Sequence, residues 1–203
     1  MTDAAYADAV RRGCSDAACH WFDRALARLT RPLDGAAFHT AYAGATRRIG
    51  TAVDRESGQP LDELARGALL LHALDCLPAE AHTSFVDQVY RRGDAREQAA
   101  LLRALPALPS PERFLATAVD ACRTNVRSVF EAIACRNPYP ARHFPDLNFN
   151  QLVLKVLFVE LPVASVAGLR DRITPELRRM ADDYASERRA AGRSVPADIE
   201  VLR

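Results

Sequence analysis

The chain of 203 residues is long enough to bury a substantial core, as one domain or as two closely packed halves. Its 27 basic and 26 acidic residues leave a net charge of +1, which argues against nucleic acid as a partner, because neutralising phosphates requires a basic surface. Ala, Leu and Arg dominate, and no segment alternates apolar and polar residues. We therefore predict an all-α fold without a sheet.

The sequence contains no segment typical of a membrane protein. The N-terminal segment has early acidic residues and no apolar core, unlike a secretory signal. The longest apolar region, residues 152–169, is interrupted by Lys155, Glu160 and Pro162 and is a poor membrane span. We expect a soluble, cytoplasmic protein that does not itself span a membrane.

The cysteines form no recognisable framework. There are five of them at irregular spacings and no CxxC pair, so we expect five free thiols, no disulfide and no metal site. The chain also lacks the GxGxxG, P-loop, HExxH and GxSxG motifs, and we expect no cofactor.

Helical periodicity and capping residues divide the first half of the chain. The predicted helices span 3–12, 15–29, 35–49 after an Asp34 cap, 61–77, 82–92 and 95–105 after an Asp94 cap. The paired Arg47 and Arg48 suit the C-terminal end of a helix dipole and need no ligand to explain them. Short helices joined by short turns predict roughly 9–10 helices, packed as hairpins in an α-solenoid-like array.

Three prolines, Pro106, Pro109 and Pro111, mark the clearest joint in the chain. We predict a single all-helical domain over residues 1–203, with halves 1–105 and 111–203 that meet at this joint. A further helix over 112–122 follows.

A helix over 124–135 comes next, with apolar residues at i, i+3, i+4 and i+7 spacing. Its opposite face carries small polar residues and one acid, Glu131. The Asn137-Pro138-Tyr139-Pro140 segment is predicted to be a loop, because proline disfavours continuation of the helix. Asp146 or Asn148 is expected to cap the following helix.

That following helix is apolar almost all round, which predicts a buried central element. One narrow polar stripe interrupts it, formed by Asn148, Gln151 and Lys155, and Lys155 is the single lysine of the chain. The last helix should begin at Thr174 and end by Gly192.

Tyr184 and Arg188 lie on the apolar stripe of that last helix. A buried arginine needs a partner, for which Glu131 is the first choice, whereas an arginine that extends to water needs none. Together the polar faces predict a cluster whose candidate binding residues are Asn137, Tyr139, His143, Asn148, Gln151, Lys155, Tyr184 and Arg188. Glu131 and Lys155 are the candidates for catalysis. The alternative is a closed polar network inside the core.

The segment TNVRSVFEAIACRNPYPARHFPDLNFNQLVLK, followed by DDYASERRAAGRSVP, resembles the EboA family over residues 124–196. The resemblance implies a role in moving a secondary-metabolite precursor from cytoplasm to periplasm. It also implies neighbours encoded in the same operon, among them a UbiA-like membrane prenyltransferase. It carries over no catalytic residue, and Arg136 stands where the family pattern leads us to expect an acid.

Three functions are compatible with the sequence. The first is an accessory protein that binds a small metabolite precursor or hands it over for export. The second is an enzyme acting on a small polar or phosphorylated intermediate, with Glu131 as acid/base and Lys155, Arg188 or His143 holding an anion. The third is a structural helical adaptor without a ligand.

Overall fold

A computed structural model describes residues 3–202, and over these residues it confirms the all-α class: eleven α-helices and six short 3₁₀ helices are present, and no strand. The α-helices are α1 (Asp3–Gly13), α2 (Asp16–Ala27), α3 (Gly35–Ile49), α4 (Leu61–Asp75), α5 (His82–Arg92), α6 (Ala95–Ala104), α7 (Leu115–Ala121), α8 (Arg127–Ala134), α9 (Tyr139–His143), α10 (Asp146–Phe158) and α11 (Pro175–Ala190). The 3₁₀ helices are Ala79–Ala81, Leu105–Ala107, Pro111–Phe114, Val163–Ser165, Leu169–Arg172 and Ala197–Leu202.

The capping residues act as predicted. The Asp34 carboxylate accepts hydrogen bonds from the first backbone N–H groups of α3. Asp94 and Glu97 form a reciprocal capping box at the start of α6. Thr174 accepts a hydrogen bond from the third residue of α11, and Gly192 adopts a positive φ of 67° just after that helix. Local sequence therefore determines where these helices begin and end.

Three expectations about the centre of the chain are wrong. The segment predicted as a loop contains a short helix, α9, because Pro140 lies in its first turn, where no backbone N–H is needed. Neither Asp146 nor Asn148 caps α10: its N-cap position is Pro145, without a side-chain cap. Nor is α10 buried all round, since the side chains of Leu147 and Phe158 are exposed.

The chain divides into two compact units, unit 1 ending at Phe114 and unit 2 beginning at Leu115. The predicted joint at Pro106, Pro109 and Pro111 lies just before this division.

Unit 1 is organised around α4, whose residues from Leu61 to Leu74 are almost all buried. Helices α1, α2, α3 and α6 all pack against it. Consecutive pairs such as α2–α3 and α5–α6 do contact each other, as hairpins would, but α1 packs on the distant α4. The Tyr6 ring lies so close to Gly67 that a Cβ atom there would be 2.5 Å from it, so only glycine fits at this crossing.

In unit 2, α10 packs against α8 and α11, and α7 packs against α8. The C-terminal 3₁₀ helix, Ala197–Leu202, returns to contact α11 and the short turn Val163–Ser165. The carboxylate of Asp198 accepts a hydrogen bond from the Val163 backbone N–H at 2.8 Å, which fastens this turn.

The expectation of five free thiols is wrong, because Cys14 and Cys19 form a disulfide. Cys14 follows the end of α1 and Cys19 lies in the first turns of α2, so the tight turn between the helices brings their Cα atoms to 5.9 Å. Cys76, Cys122 and Cys135 are free.

Between residues 3 and 202, none of the helices has both the length and the apolar content needed to cross a bilayer.

Candidate functional site

The predicted polar stripe of α10 borders a small cavity. Asn148, Gln151 and Lys155 line it together with residues around the end of α7, among them Cys122 and Arg123. Its volume is about 120 Å³, which is well below the 300–1,000 Å³ of typical ligand pockets. The cavity therefore suits a few water molecules better than a metabolite.

The Lys155 ammonium is already fully engaged. It donates hydrogen bonds to the carbonyl oxygens of Cys122 at 2.6 Å and Thr124 at 2.7 Å, and lies 4.7 Å from the centre of the Phe130 ring. The two carbonyls follow α7, where the helix leaves acceptors unsatisfied, so a cation is favourable there. This geometry supports a structural role for Lys155 at the α7–α8 junction over a catalytic one.

Asn137, Tyr139 and His143 hold the turn into α9. The Asn137 amide donates to the Ala132 carbonyl at 2.9 Å, and its oxygen accepts from the Tyr139 backbone N–H at 3.0 Å. The buried Tyr139 ring packs on His143 and Phe144, with centroids 4.6 and 6.2 Å apart. None of these predicted binding residues lines the cavities around Lys155 or Arg188.

Glu131 is separate from the other predicted polar residues. Its carboxylate lies 4.0 Å from the exposed guanidinium of Arg136, a surface contact of little energetic consequence. Within residues 3–202 it forms no ion pair with Lys155 or Arg188, and its side chain is 37% exposed. The structure thus does not bring the two predicted catalytic residues, Glu131 and Lys155, into contact.

Arg188 stands between two larger cavities, each of about 360 Å³. One is bounded by the end of α10 and the C-terminal segment, and includes Leu157, Leu161, Pro162 and Pro196. The other is bounded by α10 and α11, and includes the exposed ring of Phe158 together with Tyr184. We call this pair of cavities the Arg188 cleft.

The Arg188 cleft is lined by apolar side chains, by the charged residues Glu160, Glu187, Arg193 and Asp198, and by Arg188 and Tyr184, whose polar groups are not fully used. Arg188 Nε donates to the Ser194 carbonyl at 2.8 Å, and its guanidinium lies 5.9 Å from the centre of the Tyr184 ring. The Tyr184 hydroxyl is buried and has no hydrogen-bond partner. A buried polar group without a partner is uncommon and often marks the place of a water or ligand. Of the predicted binding residues, Tyr184 and Arg188 therefore share the most suitable cavity.

A buried ionic cluster in unit 1 was missed by sequence reasoning. Asp62 accepts hydrogen bonds from Arg66 at 2.8 Å, from Arg96 at 2.5 and 2.7 Å, and from Thr46 at 2.7 Å. The side chains of Asp62 and Arg66 are 0% and 2% exposed. The available signal was their i, i+4 spacing within an otherwise apolar helix.

The pKa values of the two neighbouring acids, Asp62 and Glu63, shift in opposite directions. Burial acts to raise the pKa of Asp62, but the hydrogen bonds and charges of Arg96, Thr46 and Arg66 outweigh it, and the pKa is lowered. Burial raises the pKa of Glu63, although Arg103 lies 2.7 Å from its carboxylate. No cavity described above borders this cluster, and it acts as a core network.

Arg172 is a second residue that the sequence did not single out. Its guanidinium donates to the carbonyls of Ala141 and Phe144 and to the Asp146 carboxylate, and it lies 4.6 Å from the centre of the Phe149 ring. It thus ties the end of α9 to Asp146 in the first turn of α10.

Comparison with known proteins gives one clear result. No curated protein and no solved structure matches the chain. The family model described as metabolite traffic protein EboA matches residues 4–202, which extends the resemblance found over 124–196 to nearly the whole chain. The chain belongs to the EboA family of metabolite traffic proteins.

Proposed function

We propose that this protein binds a small metabolite precursor in the Arg188 cleft and hands it on within an ebo-type secondary-metabolite pathway. Membership of a family described as metabolite traffic proteins supports a metabolite-handling role. The observation that carries the location is the buried Tyr184 hydroxyl without a partner, beside Arg188 and two cavities of about 360 Å³.

The lining defines the kind of molecule that fits. Arg188 uses Nε for Ser194, which leaves its terminal nitrogens for an acidic or carbonyl oxygen. Tyr184 adds a hydroxyl, and Phe158 an exposed apolar ring. A precursor with one acidic group and an apolar body satisfies all three, provided that the acidic group lies at Arg188, because Glu160, Glu187 and Asp198 also line the cleft and repel an anion. The transfer to the periplasm, a cytoplasmic location for the protein and contact with a UbiA-like membrane prenyltransferase are parts of this proposal.

The enzyme alternative has less support in the geometry. Its proposed acid/base, Glu131, lies beside Arg136 instead of Lys155 or Arg188, and Lys155 donates to backbone carbonyls. The adaptor alternative requires no ligand and makes the opposite prediction about the cleft. Binding of a small molecule at Arg188 separates a carrier from the adaptor, and recovery of that molecule unchanged separates a carrier from the enzyme.

The test is native mass spectrometry of protein purified from its producing host, combined with complementation of metabolite export. We expect the wild-type protein to carry a small molecule that Arg188→Met and Tyr184→Phe variants lose, together with export. Arg189→Met is the matched control, because Arg189 is an exposed neighbour on the same helix that does not line the cleft. Thermal melts check that all variants fold.

The outcomes separate the alternatives. Loss of ligand in the Arg189→Met variant as well would contradict a site at Arg188. Full export by a folded Arg188→Met protein with no bound molecule would favour the adaptor. Recovery of a chemically altered molecule after incubation, abolished by Glu131→Gln, would favour the enzyme.

A further inference from the structure

A second groove lies in unit 1, between α2 and α3, far along the sequence from the Arg188 cleft. It has a volume of about 610 Å³, within the range of ligand pockets. Five of its ten lining residues are small, and the other five are Trp21, Arg24, Arg28, Arg47 and Arg48. We call it the α2–α3 groove.

The charge of this groove is unbalanced. Four arginines line it and, among the described residues, no carboxylate does. None of the four side chains forms an ion pair or a hydrogen bond within residues 3–202, and all four are exposed. Elsewhere in unit 1 arginines lie beside acids, as Arg11 does with Asp23 and Arg103 with Glu63. A chain with a net charge of +1 thus concentrates unpaired positive charge at one place.

The helix dipole does not account for this concentration. Arg24 lies in the last turn of α2, and Arg47 and Arg48 lie in the last turn of α3, where cations are favourable. Each helix end carries about half a negative charge, so the two ends together offset roughly one of the four arginines. Among the described residues no carboxylate lies within ion-pair distance of the four arginines, so the remaining positive charge can attract an anion.

Trp21 lies between two pairs of arginines. A Cβ atom at Gly44 would be 3.7 Å from the indole, so Trp21 of α2 stands opposite Gly44 of α3. The short connection between the helices makes α3 run back along α2. Arg24 and Arg28 therefore lie on one side of the indole along the groove, and Arg47 and Arg48 on the other. Along the helix axes, Arg24 lies about 4.5 Å from Trp21, and Arg47 lies about 4.5 Å from Gly44.

We propose that the α2–α3 groove binds a small organic anion in which a flat or apolar centre separates two phosphate- or sulfonate-type groups. The arginines on each side of Trp21 supply guanidinium groups, which can donate several hydrogen bonds to a tetrahedral anion. Trp21 offers an apolar face to the centre of the molecule. This site is independent of the Arg188 cleft, and the failure of either proposal leaves the other standing.

The chain contains a single tryptophan, so indole fluorescence reports directly on the groove. The probes are 1,4-phenylene bisphosphate, phenyl phosphate and inorganic phosphate, titrated at pH 8 and constant ionic strength with excitation at the red edge of the indole band. We expect a saturable change with the bisphosphate at lower concentration than with phenyl phosphate, and a weaker response to inorganic phosphate.

Variants with matched charge test the assignment. Arg24→Gln/Arg28→Gln and Arg47→Gln/Arg48→Gln should each raise the Kd of the bisphosphate about tenfold, because each removes the donors at one end. The control is Arg55→Gln/Arg92→Gln, which removes the same charge from exposed arginines of unit 1 outside the groove, and its Kd should change by less than about twofold. Circular dichroism confirms that all three proteins are folded.

Four results would overturn the proposal. The first is the absence of saturable binding by the bisphosphate. The second is equal weakening by the control pair, which would mean general electrostatic attraction. The third is a bisphosphate that binds no tighter than phenyl phosphate, which would refute the two-ended site. The fourth is binding to vesicles of anionic phospholipid without binding to the bisphosphate, which would identify a membrane surface instead.

Discussion

Asp62 is a buried charge that is stabilised by hydrogen bonds and by nearby arginines. Its carboxylate is fully buried, yet it accepts hydrogen bonds from three side chains, and two of these are arginines. Burying a charge is costly unless it is paired and hydrogen-bonded. The cluster also defines how α3, α4 and α6 meet, because Thr46, Asp62 and Arg96 belong to these three helices. Polar complementarity therefore supplements apolar packing in unit 1.

We predict that Asp62→Asn lowers the free energy of unfolding by about 3–5 kcal/mol, because it leaves Arg66 buried without a counter-charge. The matched control is Asp183→Asn, which breaks an exposed pair with Arg179 and should cost less than about 1 kcal/mol. Urea unfolding of both variants measures the difference. Equal small effects in the two proteins would contradict a structural role for the buried pair.

At the scale of elements, helix ends and turns follow local rules, whereas the contacts between helices do not. Asp34, Asp94 and Thr174 cap helices where the sequence places them. The turn from α9 into α10 is instead held by Arg172, which comes from a segment more than 20 residues later and donates to carbonyls at the end of α9 and to Asp146. The pairing of Cys14 with Cys19 belongs to the same scale, because the turn between α1 and α2 sets their distance.

We predict three reactive thiols in protein unfolded without reductant, and five after reduction, because Cys14 and Cys19 are paired. Titration with a chromogenic thiol reagent measures both values. Cys14→Ser provides an internal check: removing this cysteine should raise the number reactive without reductant to four, since Cys19 is released. Five reactive thiols in the unreduced wild-type protein would show that the disulfide is absent.

Over the whole molecule, several ionisable groups are buried in their neutral form. Burial raises the pKa of Tyr6 to about 12 and that of Cys122 to about 12, the latter despite the nearby Lys155. Burial also raises the pKa of Tyr42. In the unfolded chain these groups ionise at their ordinary pKa values of about 10 and 8.5, so the unfolded state loses protons while the folded state keeps them.

These raised pKa values determine how the free energy of unfolding changes with pH. A raised pKa contributes stability that is fully present below the ordinary pKa and is lost as the pH rises through the folded-state value. We therefore predict that the free energy of unfolding falls steadily between about pH 9 and pH 12. Tyr6→Phe and Cys122→Ala, combined, should flatten this decline. Urea unfolding across the pH range measures it, and an unchanged slope in the double variant would refute the assignment.

The sequence predicted some residues of the candidate site correctly as neighbours and others not. Tyr184 and Arg188 were identified because they lie on the apolar stripe of α11, and the structure places them in one cleft. Glu131 was chosen as the partner of Arg188 from helical faces alone. Helical periodicity specifies which face of a helix a residue occupies but does not specify which other helix that face meets.

Residue spacing and capping chemistry specify the all-α class and the ends of most helices, and the resemblance of the sequence indicates the family. These properties depend on neighbours within a few residues, whose spacing and capping chemistry are local. The packing of the helices reveals three further features: Lys155 donates to backbone carbonyls, Asp62 accepts hydrogen bonds from two arginines, and four arginines line one groove. Each of these depends on residues from different helices, and packing determines which of their faces come together.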